Sequence, residues 1–330
     1  MKTTIKLLSL ALAICLLLPL ALLSCQKKAD TELEINIYAL NGTTALGMAK
    51  MINDAENDTD TMNYNISLHT AADAITGAIT SGECDIAALP TNVAAKLYKA
   101  SEGKLQLLAL NTLGVLYLLD NSDTVDSLDD LEGKTVYLPG AGSNPEFITA
   151  ALLESAGLTV GEDVTLDTTS YPSPDALQAA ITTGAVSLAV LPEPKVSVVT
   201  GAAKNVKVAL DLTEEWEAIH GENTLVQGCL VVNTEFAKDH PAELKQFLAD
   251  YEASVSFIQE GSDEAVEMIV AAGILPKAAI AKKALPKCNL CYIAGEDMKD
   301  VMNVFCEKLY ALNPASVGAV PDDGFYYVAK

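Results

Sequence analysis

The chain contains no arginine. All 21 of its basic residues are lysine, set against 44 aspartates and glutamates for a formal net charge of -23. So acidic a surface repels phosphate backbones and anionic lipid, which excludes nucleic acid and an anionic membrane face as electrostatic partners. It also leaves out the planar, bidentate clamp that normally holds carboxylate, sulfonate or phosphate. Histidine is scarce: His69, His220 and His240 are scattered, and none has a cysteine or acid at a recognisable metal spacing. The loop Ala141-Gly142-Ser143 lacks the lysine of a phosphate loop and the three spaced glycines of a dinucleotide fingerprint. No cofactor and no metal is therefore assigned. The pair Cys288 and Cys291, with Cys306 nearby, reads as buried thiols or a disulfide rather than zinc, since no histidine accompanies it. Cys84 and Cys229 sit in apolar strands and read as small hydrophobes.

The N-terminus carries Lys2 and Lys6, then an uncharged run from Leu7 to Ser24. That is the pattern of a secretory signal, to be left out of the fold. Leu22-Leu23-Ser24-Cys25 resembles a bacterial lipobox, which makes Cys25 the candidate for lipidation. The rival is an uncleaved anchor, but about 17–18 apolar residues are marginal for a span. The expected organisation is signal peptide 1–24, polar tether 25–32, then a mature chain of two lobes. Loss of Lys2 and Lys6 takes the net charge from -23 to -25.

One stretch occurs twice. Ala78–Pro90 reads AITSGECDIAALP and Ala180–Pro192 reads AITTGAVSLAVLP, offset by 102 residues without a gap, with seven of thirteen positions identical. Each reads as a helix end, a glycine turn, an apolar strand and a stopping proline. Upstream, Ile35–Ile52 and Lys134–Leu153 both run strand, glycine-containing loop, amphipathic helix. A period this long is no solenoid repeat. It predicts two similar lobes facing each other, and strands alternating with helices predict mainly parallel sheets. A break at Asn111–Gly114 marks a first crossing between lobes, and the apolar Thr224–Asn233 returns the chain. Lobe 1 is thus expected at 33–112 and 230–330, and lobe 2 at 113–229. Two crossing strands make a hinge.

Ligands of open α/β sheets sit beyond the carboxyl ends of the strands. Four loops are expected there, each leading into a helix N-terminus that favours partial negative charge. They bring Asn41, Gly42, Thr43 and Thr44; Pro90, Thr91 and Asn92; Gly140, Ala141, Gly142, Ser143 and Asn144; and Pro192–Lys195. Taken singly, the Ser, Thr and Asn residues are also ordinary helix caps. Glu193 either caps a helix or accepts a hydrogen bond from a ligand amine. Asn111, Thr112 and Gln227 lie near the crossings. Tyr38 and Tyr171 are candidates for ring stacking or for the core.

DIAALPTNVAA (Asp85–Ala95), GKTVYLPGAGSNP (Gly133–Pro145), AITTGAVSLAVLPEP (Ala180–Pro194) and PDDGFYY (Pro321–Tyr327) together resemble solute-binding lipoproteins of ABC importers. The nearest branch is the nitrate/sulfonate/taurine and thiamine-precursor type. The resemblance implies an α/β, two-lobed type II periplasmic-binding-protein fold that closes on one small molecule and delivers it to a permease and its ATPase. It places the protein outside the cytoplasm, lipid-anchored at the outer face of the cell membrane. It also makes Asn41–Thr44, Pro90–Asn92, Asn111–Thr112, Gly140–Asn144 and Glu193 ligand-loop positions. The missing arginine departs from nitrate and sulfonate binding and favours a neutral or amine-bearing heterocycle. Two other classes stay open. One is a cofactor-biosynthesis enzyme on the same scaffold, with Glu193 or Asp85 as its acid or base; the other is a ligand-sensing surface receptor.

Overall fold

The structure, a computed structural model, describes residues 28–328. The expected signal peptide and Cys25 lie outside the described residues. Among the described residues no helix is long and apolar enough to cross a membrane.

The chain begins with β1 (Glu34–Leu40), α1 (Thr43–Leu46), α2 (Ala49–Glu56), β2 (Asn63–His69), α3 (Ala72–Ser81), β3 (Ile86–Pro90), α4 (Thr91–Ala100) and β4 (Leu105–Leu113). It then passes through Gly114 into a second sheet. There it forms β5 (Leu116–Asp120), β6 (Thr135–Tyr137), α5 (Asn144–Ser155), β7 (Thr165–Asp167), α6 (Pro174–Thr183), β8 (Leu188–Pro192), α7 (Lys195–Ala202), β9 (Lys207–Asp211) and α8 (Leu212–His220). It returns along β10 (Val226–Asn233) and ends with α9 (Thr234–Asp239), α10 (Pro241–Gln259), α11 (Asp263–Ala271), α12 (Ala278–Ala284), β11 (Leu290–Ala294) and α13 (Gly295–Leu312).

The strand orders are β11-β4-β10-β3-β1-β2 and β7-β6-β8-β5-β9. The expectation of mainly parallel sheets needs correction, because both are mixed. In the first, β1 runs parallel to β2 and β3, while β10 is antiparallel to β3 and β4, and β11 to β4. In the second, β6, β7 and β8 are parallel and β5 opposes both of its neighbours. The reversed strands include the two that have just crossed. A strand arriving from the other lobe enters from the cleft side, so it runs against strands that point toward the cleft.

The duplicated stretch occupies equivalent places in different sheets. α3, its closing glycine and β3 match α6, its glycine and β8 at the same 102-residue offset. Gly82 and Gly184 end the helices at φ 80° and 77°, where a side chain would strain the backbone. Both strands are buried on both faces, which is why they read as unbroken apolar runs and not as alternation. In β3, Ile86 and Ala88 enter one core cluster while Ala87 and Leu89 enter another.

That second cluster has a consequence for the two-lobed picture. It runs from Leu89 and Leu107 in the first sheet to Leu116, Val136 and Val190 in the second. Trp216 of α8 and Phe305 of α13 meet within it, ring centroids 6.1 Å apart. The lobes are therefore joined along one flank by apolar packing as well as by the crossings. At the other end of the chain, the expected polar tether is partly docked: Asp30 N–H donates to Glu243 Oε1 at 2.9 Å, and Ala29 packs on the core.

Candidate functional site

The carboxyl ends of β1, β3, β6 and β8 lead into α1, α4, α5 and α7, and these helix starts meet where the lobes face each other. Half of the buried polar side chains among the described residues belong to the expected site. They are Thr44, Thr91, Asn92, Asn111, Thr112, Asn144, Glu193 and Gln227, eight of sixteen. Burying polar groups costs free energy unless they are hydrogen-bonded. Their partners show how the seam is built.

Thr44, Asn111 and Thr112 form one group. Thr44 Oγ1 donates to Leu40 O at 2.6 Å, Asn111 Nδ2 to Thr44 O at 3.1 Å, and Thr112 Oγ1 to Asn111 Oδ1 at 3.0 Å. Gly228 lies beside them in β10, register partner of both Pro90 and Thr112. The second group spans the lobes. Asn92 Nδ2 donates to Gly142 O at 3.2 Å, and Asn144 Nδ2 to Thr91 Oγ1 at 3.2 Å and to Gln227 O at 3.5 Å. Thr91 Oγ1 in turn donates to Val226 O at 2.7 Å. Gln227 uses its side-chain oxygen at the hinge, accepting from Val115 N–H at 2.6 Å.

The remaining residues are less central. Asn41 and Gly42 line a cavity of about 320 Å³ with Thr70, facing Ser173, Asp175, Pro194 and Lys195 of the other lobe. Asn41 Nδ2 reaches Gly273 O at 3.5 Å, and Thr43 is half-buried at the start of α1. Ala141 and Gly142 are exposed at the loop tip, and Gly140 turns against Pro172. Ser143 donates its hydroxyl back to Pro139 O and Gly140 O, closing the loop on itself. Tyr38 lies against His69 and Tyr171 against Tyr137, each within its own lobe.

Glu193 is 1% exposed and caps α7, which begins at Lys195 and not at Glu193. Its carboxylate accepts from Ser197 N–H at 3.0 Å and Ser197 Oγ at 2.9 Å. Burial raises its pKa above the ordinary 4.5, opposed by the Ser197 donors and by the charges of Lys287 and Lys283. The folded chain thus holds this proton more tightly than the unfolded one. Stability therefore falls as pH rises from about 4.5 through the raised folded value. Glu193→Gln removes that decline. In denaturant titrations, its unfolding free energy should gain on wild type between about pH 4 and pH 7. An equal difference at both pH values would refute this.

Sequence reading missed two lysines that bridge the lobes. Lys96 of α4 donates to Gly142 O at 3.3 Å and lies 4.9 Å from the Phe147 ring centroid, its pKa lowered by burial. Lys283 of α12 donates to Thr200 Oγ1 of α7 at 2.7 Å. It also missed Thr70, Gln178 and the segment Ile274–Pro276 on the cavity wall. The loops after β2 and β7 also leave from carboxyl strand ends, which was the signal available for Thr70 and Ser173. Nothing local marks Ile274–Pro276. The cysteines at 84, 229, 288, 291 and 306 are free thiols, so Cys288 and Cys291 are not joined. Asp85 stands at the opposite end of β3 from the seam and accepts from Asn36 N–H at 2.8 Å.

A family model described as NMT1/THI5 like matches residues 68–265. The chain belongs to the NMT1/THI5-like family. A comparison with curated protein sequences finds no match. Solved structures similar to this NMT1/THI5-like protein include an ABC transporter from Parabacteroides distasonis. It is 23% identical with a TM-score of 0.74, covering 91% of this chain and 100% of that one. The periplasmic aliphatic sulphonate-binding protein SsuA of Escherichia coli is 16% identical with a TM-score of 0.70, covering 89% and 95%. The Candida albicans CA3427 product, described as having the generic periplasmic binding protein fold, is 13% identical with a TM-score of 0.60, covering 89% and 93%. At such identities the likeness establishes the fold: this NMT1/THI5-like protein has the two-sheet, mixed α/β architecture of periplasmic binding proteins.

Proposed function

We propose that this protein captures a small organic solute between its lobes by hinge closure and hands it to a membrane permease driven by an ATPase. In this reading lobe 1 is 33–112 with 230–330, lobe 2 is 113–229, and an acyl anchor on Cys25 holds the protein outside the cell membrane. The observation that carries it is the burial of eight site side chains, with Asn92 and Thr91 of the first lobe hydrogen-bonded to Gly142 and Asn144 of the second. Thr44, Thr91, Asn92, Asn111, Thr112, Asn144 and Gln227 form the floor. Asn41, Gly42, Thr43, Pro90, Gly140, Ala141, Gly142 and Ser143 form the rim, and Glu193 holds the first turn of α7 through Ser197. Two of the similar solved structures are named for transport or solute binding, which supports the same reading. Glu193 and Asp85, the candidate acid or base of an enzyme, are engaged at Ser197 and at the far end of β3.

A solute that touches both lobes stabilises the closed state by its differential affinity. The test is a thermal-shift screen of the delipidated chain against pyrimidines, amines, sulfonates and amino acids. At a hundredfold excess over the dissociation constant the true solute adds about 2.7 kcal/mol of stability. Turnover of a metabolite without stabilisation by any of them would overturn the reading.

A further inference from the structure

We propose that Asn41 and Gly42 form a self-modifying pair. The main-chain nitrogen of Gly42 attacks the side-chain amide of Asn41, and water then converts the asparagine to aspartate or isoaspartate on the wall of the inter-lobe cavity.

The step balances with water as its only co-reactant. The Gly42 nitrogen gives its proton to solvent and bonds to Asn41 Cγ; the bond from Cγ to Nδ2 breaks, and ammonia leaves. Water opens the resulting five-membered imide at either carbonyl. One opening restores the ordinary main chain with a carboxylate side chain. The other routes the main chain through Cβ and leaves the carboxylate on Cα.

Glycine is the follower that permits this ring best, because it has no side chain to obstruct the approach and turns freely. The chain contains one asparagine-glycine pair. Its surroundings leave it free to react. Asn41 is exposed, and its Nδ2 is held only by Gly273 O at 3.5 Å, the outer limit of a hydrogen bond. Gly42 N–H has no acceptor among the described residues, and a Cβ at Gly42 would meet nothing within 4 Å. Both residues line the cavity of about 320 Å³, which admits the water that the second step consumes. Other asparagines are less favourably placed. Asn144 and Asn313 precede proline, which has no N–H to lose. Asn121 precedes the small Ser122, but its Nδ2 donates to Val186 O at 2.8 Å and its N–H to Ser187 O at 3.0 Å.

The modification reaches the buried polar group beside it. Thr44 Oγ1 donates to Leu40 O at 2.6 Å, a bond that closes around residues 41–43. Isoaspartate adds one atom to the main chain inside that loop. Thr44 O also accepts from Asn111 Nδ2, and Asn111 Oδ1 from Thr112, so a displaced Thr44 loosens all three. Each is buried, where a lost bond is costly. The new carboxylate, for its part, joins a cavity wall that already carries Asp175 and Lys195.

The experiment holds the full, folded chain in mildly alkaline buffer at body temperature and follows its peptides by mass spectrometry. The expected result is a gain of one mass unit, placed by fragmentation at Asn41, growing with time and matched by released ammonia. In water enriched in oxygen-18 the gain becomes three. Asn41→Gln, whose longer side chain would have to close a six-membered ring, should show no gain. The aged chain should also melt below Asn41→Asp, which adds the charge without the extra main-chain atom. An unchanged mass at Asn41, or a gain shared evenly with Asn121, overturns the proposal. Equal melting of the aged chain and Asn41→Asp overturns its reach into the buried group. Neither result touches the reading of solute capture, which the thermal-shift screen tests separately.

Discussion

Gly228→Ala lowers the melting temperature by roughly 2–10 °C and, on the proposed reading of the seam, weakens solute binding with it. The added Cβ would stand 2.5 Å from Asn111 Oδ1 and 2.8 Å from both Thr112 Oγ1 and Thr44 Cγ2. None of the three can retreat alone. Asn111 is tied to Thr44 O and Thr112 to Asn111, so a shift of one breaks a bond made by the next. All three are also buried, and a lost bond there leaves an uncompensated polar group. Calorimetry on the variant, alongside Gly201→Ala on the open surface of α7, provides the comparison, since a Cβ at Gly201 meets nothing within 4 Å. Equal melting temperatures for the two variants would show that the seam is looser than this packing requires.

Trp216→Ala costs more, about 3–5 kcal/mol, the range for emptying a large aromatic from a core. Trp216 is 0% exposed, donates from Nε1 to Thr224 Oγ1 at 3.1 Å, and packs at a tilt against His220 and Phe305. Thr224 lies just before β10, so one side chain packs α8, the returning segment and the C-terminal helix together. The loss therefore falls on the join between lobes and not on one lobe alone. A double-mutant cycle with Phe305→Ala separates the two contributions. A coupling of about 0.5–1.5 kcal/mol is expected for an aromatic pair. A coupling of zero would mean that the contact does not brace the lobes.

Much of this was legible in the residues, and the illegible part has identifiable causes. The 102-residue offset located two equivalent βα units because glycine, proline and apolar runs mark helix ends and buried strands directly. Strand direction was not legible for β5 and β10. Helix-strand alternation fixes direction only within a βα unit, and these two strands arrive by crossing. Among site residues, the polar ones after β1, β3 and β6 were readable as helix starts. The capping half of the reading at Glu193 turned on Ser197, four residues along, whose hydroxyl and N–H both point back to the carboxylate. Lys96 and Lys283 left no trace because their partners are backbone or hydroxyl oxygens in the other lobe, more than forty residues away in each case. The docking of Asp30 on Glu243 was hidden for the same reason: a short polar segment reads as a tether until a buried partner is known.

The two passages between lobes are not independent cords. β4 and β10 are hydrogen-bonded neighbours up to Leu113 and Val226, and Val115 is tied to Gln227 just beyond. Side-by-side strands bend readily across their width but resist twisting and sliding against one another. The relative motion of the halves is thereby reduced toward a single rotational coordinate. An unfettered pair of bodies would surrender several such freedoms on meeting a guest, an entropic cost that lowers affinity. In the proposed capture of a solute, most of that loss would already be built into the covalent and ladder geometry.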